Sequence, residues 1–241
     1  MDQSRIQYFI AHLVISAVVV GGLLWLILSY WYPTPLASAT GIYQIILILA
    51  CVDIVIGPIL SFIVYNKAKK TLKFDLLCII VIQVMATTYG FYSIAQARPA
   101  WIVFTIDRFE LVKNNEIAKA DQTVLPEFRF APWLGPKFIG AQRAGNLAEA
   151  QMNEFMRGLS LSQMPERYVP IEKIYTEIKK KAYTYQDLLK YNSTFEVNEL
   201  KIKYPHFNAW LPLQANAEDK VVLFNKDSIT EFKIVDLRPW H

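Results

Sequence analysis

The sequence predicts a membrane α-helical part, made of three transmembrane helices, followed by an α+β domain outside the bilayer. Three observations predict it. Apolar runs at 6–30, 41–65 and 76–95 each reach the roughly 20 residues needed to cross a hydrocarbon core about 30 Å thick. The composition is 54% hydrophobic and 19% charged, with mean hydropathy +0.23, too apolar for an ordinary soluble domain and too polar for an all-membrane chain. The charges crowd after position 95, where 20 basic and 18 acidic residues accompany strand and helix patterns.

The first apolar run exceeds the usual 7–15 residues of a signal peptide core and is followed by no clear small-residue cleavage site, so it reads as a retained anchor. Aromatic residues cluster at span ends: Tyr30, Trp31 and Tyr32, then Tyr89 and Tyr92. The link "WYPTPLASAT" is uncharged, whereas "NKAKKTLKFD" carries Lys67, Lys69, Lys70 and Lys73. Positive residues stay on the cytoplasmic side, so the N-terminus and the basic link are expected inside. The first link and everything after residue 95 are then outside, which in a Gram-negative cell is the periplasm. The division is residues 1–95 for the membrane domain and 96–241 for a periplasmic α+β domain. A near-neutral exported domain gives no reason to propose nucleic acid. The four lysines of the basic link either serve as a topology signal alone, the plainer reading, or also touch anionic inner-membrane lipid.

In the exported part, 100–112 reads as a strand and "PKFIGAQ" as a short second one. Residues 146–159 read as an amphipathic helix capped by Asn146, with Leu147, Met152, Phe155, Met156 and Leu159 as apolar members. The stretch "IEKIYTEIKKKAYTYQDLLKYN" is helical with a break near 182–184, and "AWLPLQA" and "KVVLFNKDSITEFKIVDL" read as late strands, the second a hairpin turning at "NKDS". This order suggests antiparallel pairing.

One acid interrupts the greasiest run. In "ACVDIVIGPIL", Asp53 stands among Ile, Val and Leu, followed by Gly57 and Pro58. A charged side chain at mid-bilayer costs on the order of 2.5–3.5 kcal/mol, so such a residue faces other helices or a partner. Pro58 has no N–H to donate, which frees the carbonyl of Ile54, and Gly57 lets another helix approach. A kinked helix with a polar notch is expected. At 1.5 Å per residue, Asp53 lies about 18 Å, Gln83 about 12 Å and His12 about 10 Å deep, depths that overlap once helices tilt. The notch is either a polar site for a membrane-embedded partner or an internal Asp–Gln or Asp–His bond joining the three helices. His12 alone reads as a packing or interfacial residue, and Thr87 and Thr88 as bonded to their own helix backbone.

Chemistry finds little support. The only histidines after position 95 are His206 and His241, with no G-x-S-x-G, phosphate-binding loop or HExxH. Cys51 and Cys78 lie in spans, and no His/Cys spacing suits a metal. Asp107 and Glu110, three apart on a strand, would face opposite ways. No catalytic residue, cofactor or metal is expected.

The stretches "DIVIGPILSFIVYNKAKKTLKFDL", "IQVMATTYGFYSIAQARPAWIVFTIDRFELV" and "DLRPW" together resemble the TfpX/TfpZ family of type IV pilin accessory proteins. Ser61 and Phe62 depart from the Leu-Thr pair more usual there, and 115–210 carries no clear match. The resemblance implies an inner-membrane, non-enzymatic, chaperone-like protein that binds a cognate type IV major pilin and promotes pilus assembly. The alternative is a membrane enzyme that modifies pilin. On this reading Asp53, Gly57, Pro58 and Gln83 meet the pilin helix and its charged amine. Arg98 and Pro99 form the membrane exit, with proline ending the helix and the guanidinium at the head groups. Asp107, Arg108 and Phe109 are either a structural Asp–Arg group or part of the pilin surface.

Overall fold

The computed structural model describes residues 3–120, 122–143 and 145–240. Helix α1 (Gln3–Leu26) ends in a π turn at Ile27–Trp31. After the short α2 (Leu36–Thr40), α3 (Ile42–Ala50) passes through a second π turn at Cys51–Ile56 into α4 (Gly57–Val64), and α5 (Leu72–Gln96) follows. They make three helices apolar and long enough to cross a membrane: Gln3–Trp31, Ile42–Val64 and Leu72–Gln96, with mean hydropathies of 2.4, 2.6 and 1.7. The third starts earlier than hydropathy suggests. Asp75 in its first turn pairs with Lys69 at 2.5 Å and accepts from Thr71 at 3.2 Å, and a carboxylate there suits the helix dipole.

The chain divides into two units. The first holds residues up to Tyr30 together with Ile42–Ala97. Arg5 closes one end of it, donating to the carbonyls of Phe62 (2.5 Å) and Ile63 (3.3 Å) at the C-terminal end of α4, where backbone acceptors lack helical partners. Lys67 also bonds Ser4, so the N-terminal end of α1 and the basic link share one end.

The second unit holds Trp31–Gly41 and the residues from Arg98 on. A boundary at 95/96 does not anticipate the first of these segments. Leu36 enters the main core of this unit, and the carbonyl of Ala39 accepts from the amides of Ala217 (2.9 Å) and Glu218 (3.3 Å). Residues 31–41 therefore pack with the residues from 98 on as one unit.

A seven-stranded mixed sheet in the order β4-β3-β1-β2-β5-β6-β7 forms the second unit. The strands are β1 (Pro99–Phe104), β2 (Phe109–Lys113), β3 (Lys137–Ala141), β4 (Tyr168–Val169), β5 (Ala209–Gln214), β6 (Lys220–Phe224) and β7 (Phe232–Val235). The α+β class holds, but two pairings are parallel, β1 with β3 and β2 with β5. Helix α6 (Leu147–Arg157) separates β3 from β4, while α7 (Tyr175–Lys181), α8 (Tyr185–Leu188) and α9 (Thr194–Lys203) lie between β4 and β5. The parallel returns run through long connections that a hairpin cannot replace: 114–136 leads back to β3 beside β1, and everything from β3 to α9 lies between β2 and β5.

Residues 100–112 are not one strand. Thr105–Arg108 form a tight turn, the Thr105 amide bonding the Arg108 carbonyl at 3.0 Å, so β1 and β2 make a hairpin. Asp107 is in that turn and Glu110 in β2, where it accepts from Thr105 (3.1 Å) and Ser162 (2.6 Å). Strand alternation then builds the cores. Ile102, Phe104, Leu211, Leu213, Val222 and Phe224 pack with Ile174 and Ile178 on one face. Trp101 and Val103 join Phe128 and Tyr168 in a second cluster, and Trp210, Val221 and Leu223 join Val197 and Leu200 in a third. Strands covered on both faces read as continuous apolar runs, as β6 does.

The Asn146 cap accepts from the Ala148 amide at 3.0 Å, and the expected break at 182–184 is an extended bridge of Tyr183 to Trp210. Met152, Phe155 and Met156, read as the apolar face of α6, are exposed. Helix α9 escaped the sequence reading although Ser193 and Glu196 form a capping box, the Ser/x/x/Glu signature of a helix start.

Candidate functional site

The four notch residues read from the sequence come together in the first unit. Asp53 lies in the π turn and is 1% exposed. Gly57 donates five residues back, to the carbonyl of Val52. One residue on, the same register asks position 58 to serve the carbonyl of Asp53, and proline has no N–H. Gln83 of α5 supplies the missing donor: its Nε2 donates to the Asp53 carbonyl at 2.6 Å. The freed acceptor is thus that of Asp53 rather than Ile54, because the π turn shifts the register by one. A Cβ on Gly57 would overlap the Gln83 amide, so glycine is what admits this side chain.

Beyond these four, the structure adds His12, Ser16, Ser61 and Thr87. Gln83 Oε1 can only accept, so His12 Nε2 donates to it at 2.9 Å. His12 Nδ1 lies 2.8 Å from Ser61 Oγ, a hydroxyl that can donate to the ring or accept from it. Gln83 Nε2 also reaches Ser16 Oγ at 3.3 Å. Thr87 Oγ1 lies 2.8 Å from Asp53 Oδ2 and 2.9 Å from its own helix's Gln83 carbonyl. His12 is therefore a hub, not a lone packing residue, and Thr87 serves the acid as well as its backbone. Thr88 does bond its own helix, at the Val84 carbonyl. The Asp53–Gln83 link exists, but through the Asp53 backbone. Spacing could not reveal these partners, because His12, Ser61 and Gln83 meet only when three helices pack.

One polar atom stays unserved. Asp53 Oδ1 is buried with no hydrogen-bond partner among the described residues. Asp53 borders a cavity of about 260 Å³ whose polar lining also includes His12, Ser16, Gln83 and Thr87, with Ile15, Val19, Ile80 and Val84 among its apolar members. A buried unpaired acceptor costs about 1–3 kcal/mol, more if charged. This arrangement can accept one or two hydrogen bonds from a donor entering among apolar walls.

The remaining predicted site residues lie in the second unit. Arg98 is buried, with its guanidinium 4.7 Å from the ring centroid of Trp133, so it packs on protein. Burial lowers its pKa while the neighbouring Tyr32 opposes that, and burial raises the pKa of Tyr32. Pro99 opens β1, where a missing N–H is tolerated. Asp107 and Arg108 pair at 2.8 Å, and that bond holds the Asp107 carboxyl below its usual range. Phe109 is fully buried among Phe104, Phe138 and Phe232, which removes it from any partner surface. The guanidinium of Arg108 lies 5.4 Å from the Trp240 ring, so the turn at 107–108 meets the C-terminal "DLRPW" stretch. That stretch is pinned: Asp236 to Lys220 (2.6 Å), the Arg238 backbone to Asn192 (2.8 and 2.9 Å), and Trp240 Nε1 to Asp219 (2.6 Å). His206 pairs with Glu231 at 3.0 Å, and His241 lies outside the described residues.

No protein-family model matches the chain, and no solved structure matches it. Among curated proteins it is similar to the fimbrial assembly protein, serogroup I, of Dichelobacter nodosus, 29% identical over 93% of each chain. The serogroup E1 protein of the same organism is 30% identical over 71% of this chain and 68% of its own length. The serogroups C1 and C2 protein is 33% identical over 44% of this chain and 82% of its own length. With that identity sustained over more than two thirds of the serogroup E1 relative, the chain belongs to the fimbrial assembly protein family.

Proposed function

We propose that this protein is an inner-membrane accessory protein that binds and stabilises a cognate type IV major pilin before its assembly. The observation that carries the reading is the unserved Oδ1 of Asp53 at an apolar-walled intramembrane cavity. A pilin awaiting assembly is held in the membrane by one apolar helix whose N-terminal amine lipid cannot satisfy. Docked beside α1 and α5, that amine donates to Asp53, and the apolar walls take the helix. Names of the relatives support an assembly role. On this reading the second unit is periplasmic, with the basic link in the cytoplasm, and holds the pilin head. The protein acts by binding rather than catalysis, so pilin mass is the same with and without it.

Asp53→Leu tests this reading. The variant should remain inserted at normal abundance while pilin level and piliation fall. Normal piliation with an abundant Asp53→Leu protein contradicts it.

A further inference from the structure

The segment 129–137 carries an apolar tip that is largely exposed. Its root is fixed, because Val124 and Phe128 are buried in the Trp101 cluster. Beyond that root, Phe130, Trp133 and Leu134 are 83%, 60% and 68% exposed. Arg129 and Lys137, both exposed, flank them. Large apolar side chains grouped this way on a surface mark a place where something covers them.

Chain connectivity says what does. The Trp133 ring packs edge-on to Trp31 with centroids 5.4 Å apart, and the Arg98 guanidinium covers it at 4.7 Å. Trp31 is the last residue of the first span, and Arg98 follows the end of the third, Gln96, by two residues. A side chain touching both lies in the layer where the chain leaves the bilayer. Leu134 is one residue from it, about 3.8 Å along the chain.

We propose that 129–137 is an interfacial anchor occupied by lipid. Trp133 sits at head-group depth with Trp31, and Phe130 and Leu134 enter the boundary with the acyl chains. Arg129 and Lys137 meet anionic phosphates. The anchor holds the membrane-proximal end of the second unit against the bilayer.

The test uses the full chain with Cys51→Ala and Cys78→Ala, in vesicles of zwitterionic and anionic phospholipid. A polarity-sensitive fluorophore is attached through Leu134→Cys, and in a second protein through Phe130→Cys. Lys226→Cys is the control. It lies in the turn after β6, at the opposite end of that strand from Ala217, which bonds the inter-span segment. Nitroxide-bearing lipid should quench positions 134 and 130 and not 226, and aqueous iodide should quench 226 alone. Iodide quenching at 134 and 130 equal to that at 226 overturns the proposal. Protection from both quenchers also overturns it, because a protein surface then covers the tip.

Discussion

Gln83 Nε2 stands 2.6 Å from the carbonyl oxygen of Asp53, in the place of the amide that Pro58 lacks. A side chain of α5 thus completes the hydrogen bonding of the neighbouring span, and the same side chain holds His12 and Ser16. Gln83→Leu should destabilise the membrane unit by about 1–3 kcal/mol for each buried group left unserved. Denaturant titration in mixed micelles, followed by helical signal, measures it. Pro58→Ala should recover part of that loss by restoring an N–H at position 58. It should change the parent protein little, giving a coupling on the order of 1 kcal/mol in the double-mutant cycle.

Gly57→Ala should also weaken the unit, by about 1–3 kcal/mol, because the added methyl displaces the Gln83 amide from a packed site. In the same titration, Gly57→Ala in a Gln83→Ala background should cost much less. Equal costs in both backgrounds would mean that the close approach does not matter.

Acid should loosen α6. Arg143 bonds both oxygens of Glu154 at 2.8 Å and holds its carboxyl below the ordinary range. A folded-state pKa below the unfolded one gives stability present above the unfolded value, about 4.3, and lost as pH falls through the folded value. Protease cleavage within 145–160 should therefore accelerate as pH drops below about 4.3. Glu154→Gln should cleave faster at neutral pH and show a flatter acid dependence.

The proposed sidedness rests on the lysines of the basic link, and the second unit's inclusion of Trp31–Gly41 agrees with it. In cells carrying Cys51→Ala and Cys78→Ala, Lys226→Cys should react with an impermeant maleimide from the periplasm. Lys69→Cys should react only after the inner membrane is opened. The reverse pattern would invert the proposed orientation.

Much of this was legible in the residues. Hydropathy located the spans, since apolar length is a nearly sufficient signal for crossing lipid. The Asp53, Gly57, Pro58 and Gln83 group was legible because an acid and a proline within a span both demand partners. His12 on its own reads as a packing residue because its partners, Ser61 and Gln83, are 49 and 71 residues away. The turn at Thr105–Arg108 was hidden by apolar strands on both sides, and parallel pairing depends on the second unit's long connections, which carry no local signal. Phe109 looked like part of a polar motif, yet strand alternation directs it into the core.

The most direct test places a photo-crosslinking amino acid at Val84, an exposed position lining the cavity beside Asp53, in cells that make the pilin. Irradiation should give an adduct with the pilin helix that is lost in Asp53→Leu at equal protein abundance. No pilin adduct at Val84, or one undiminished by Asp53→Leu, would contradict the account.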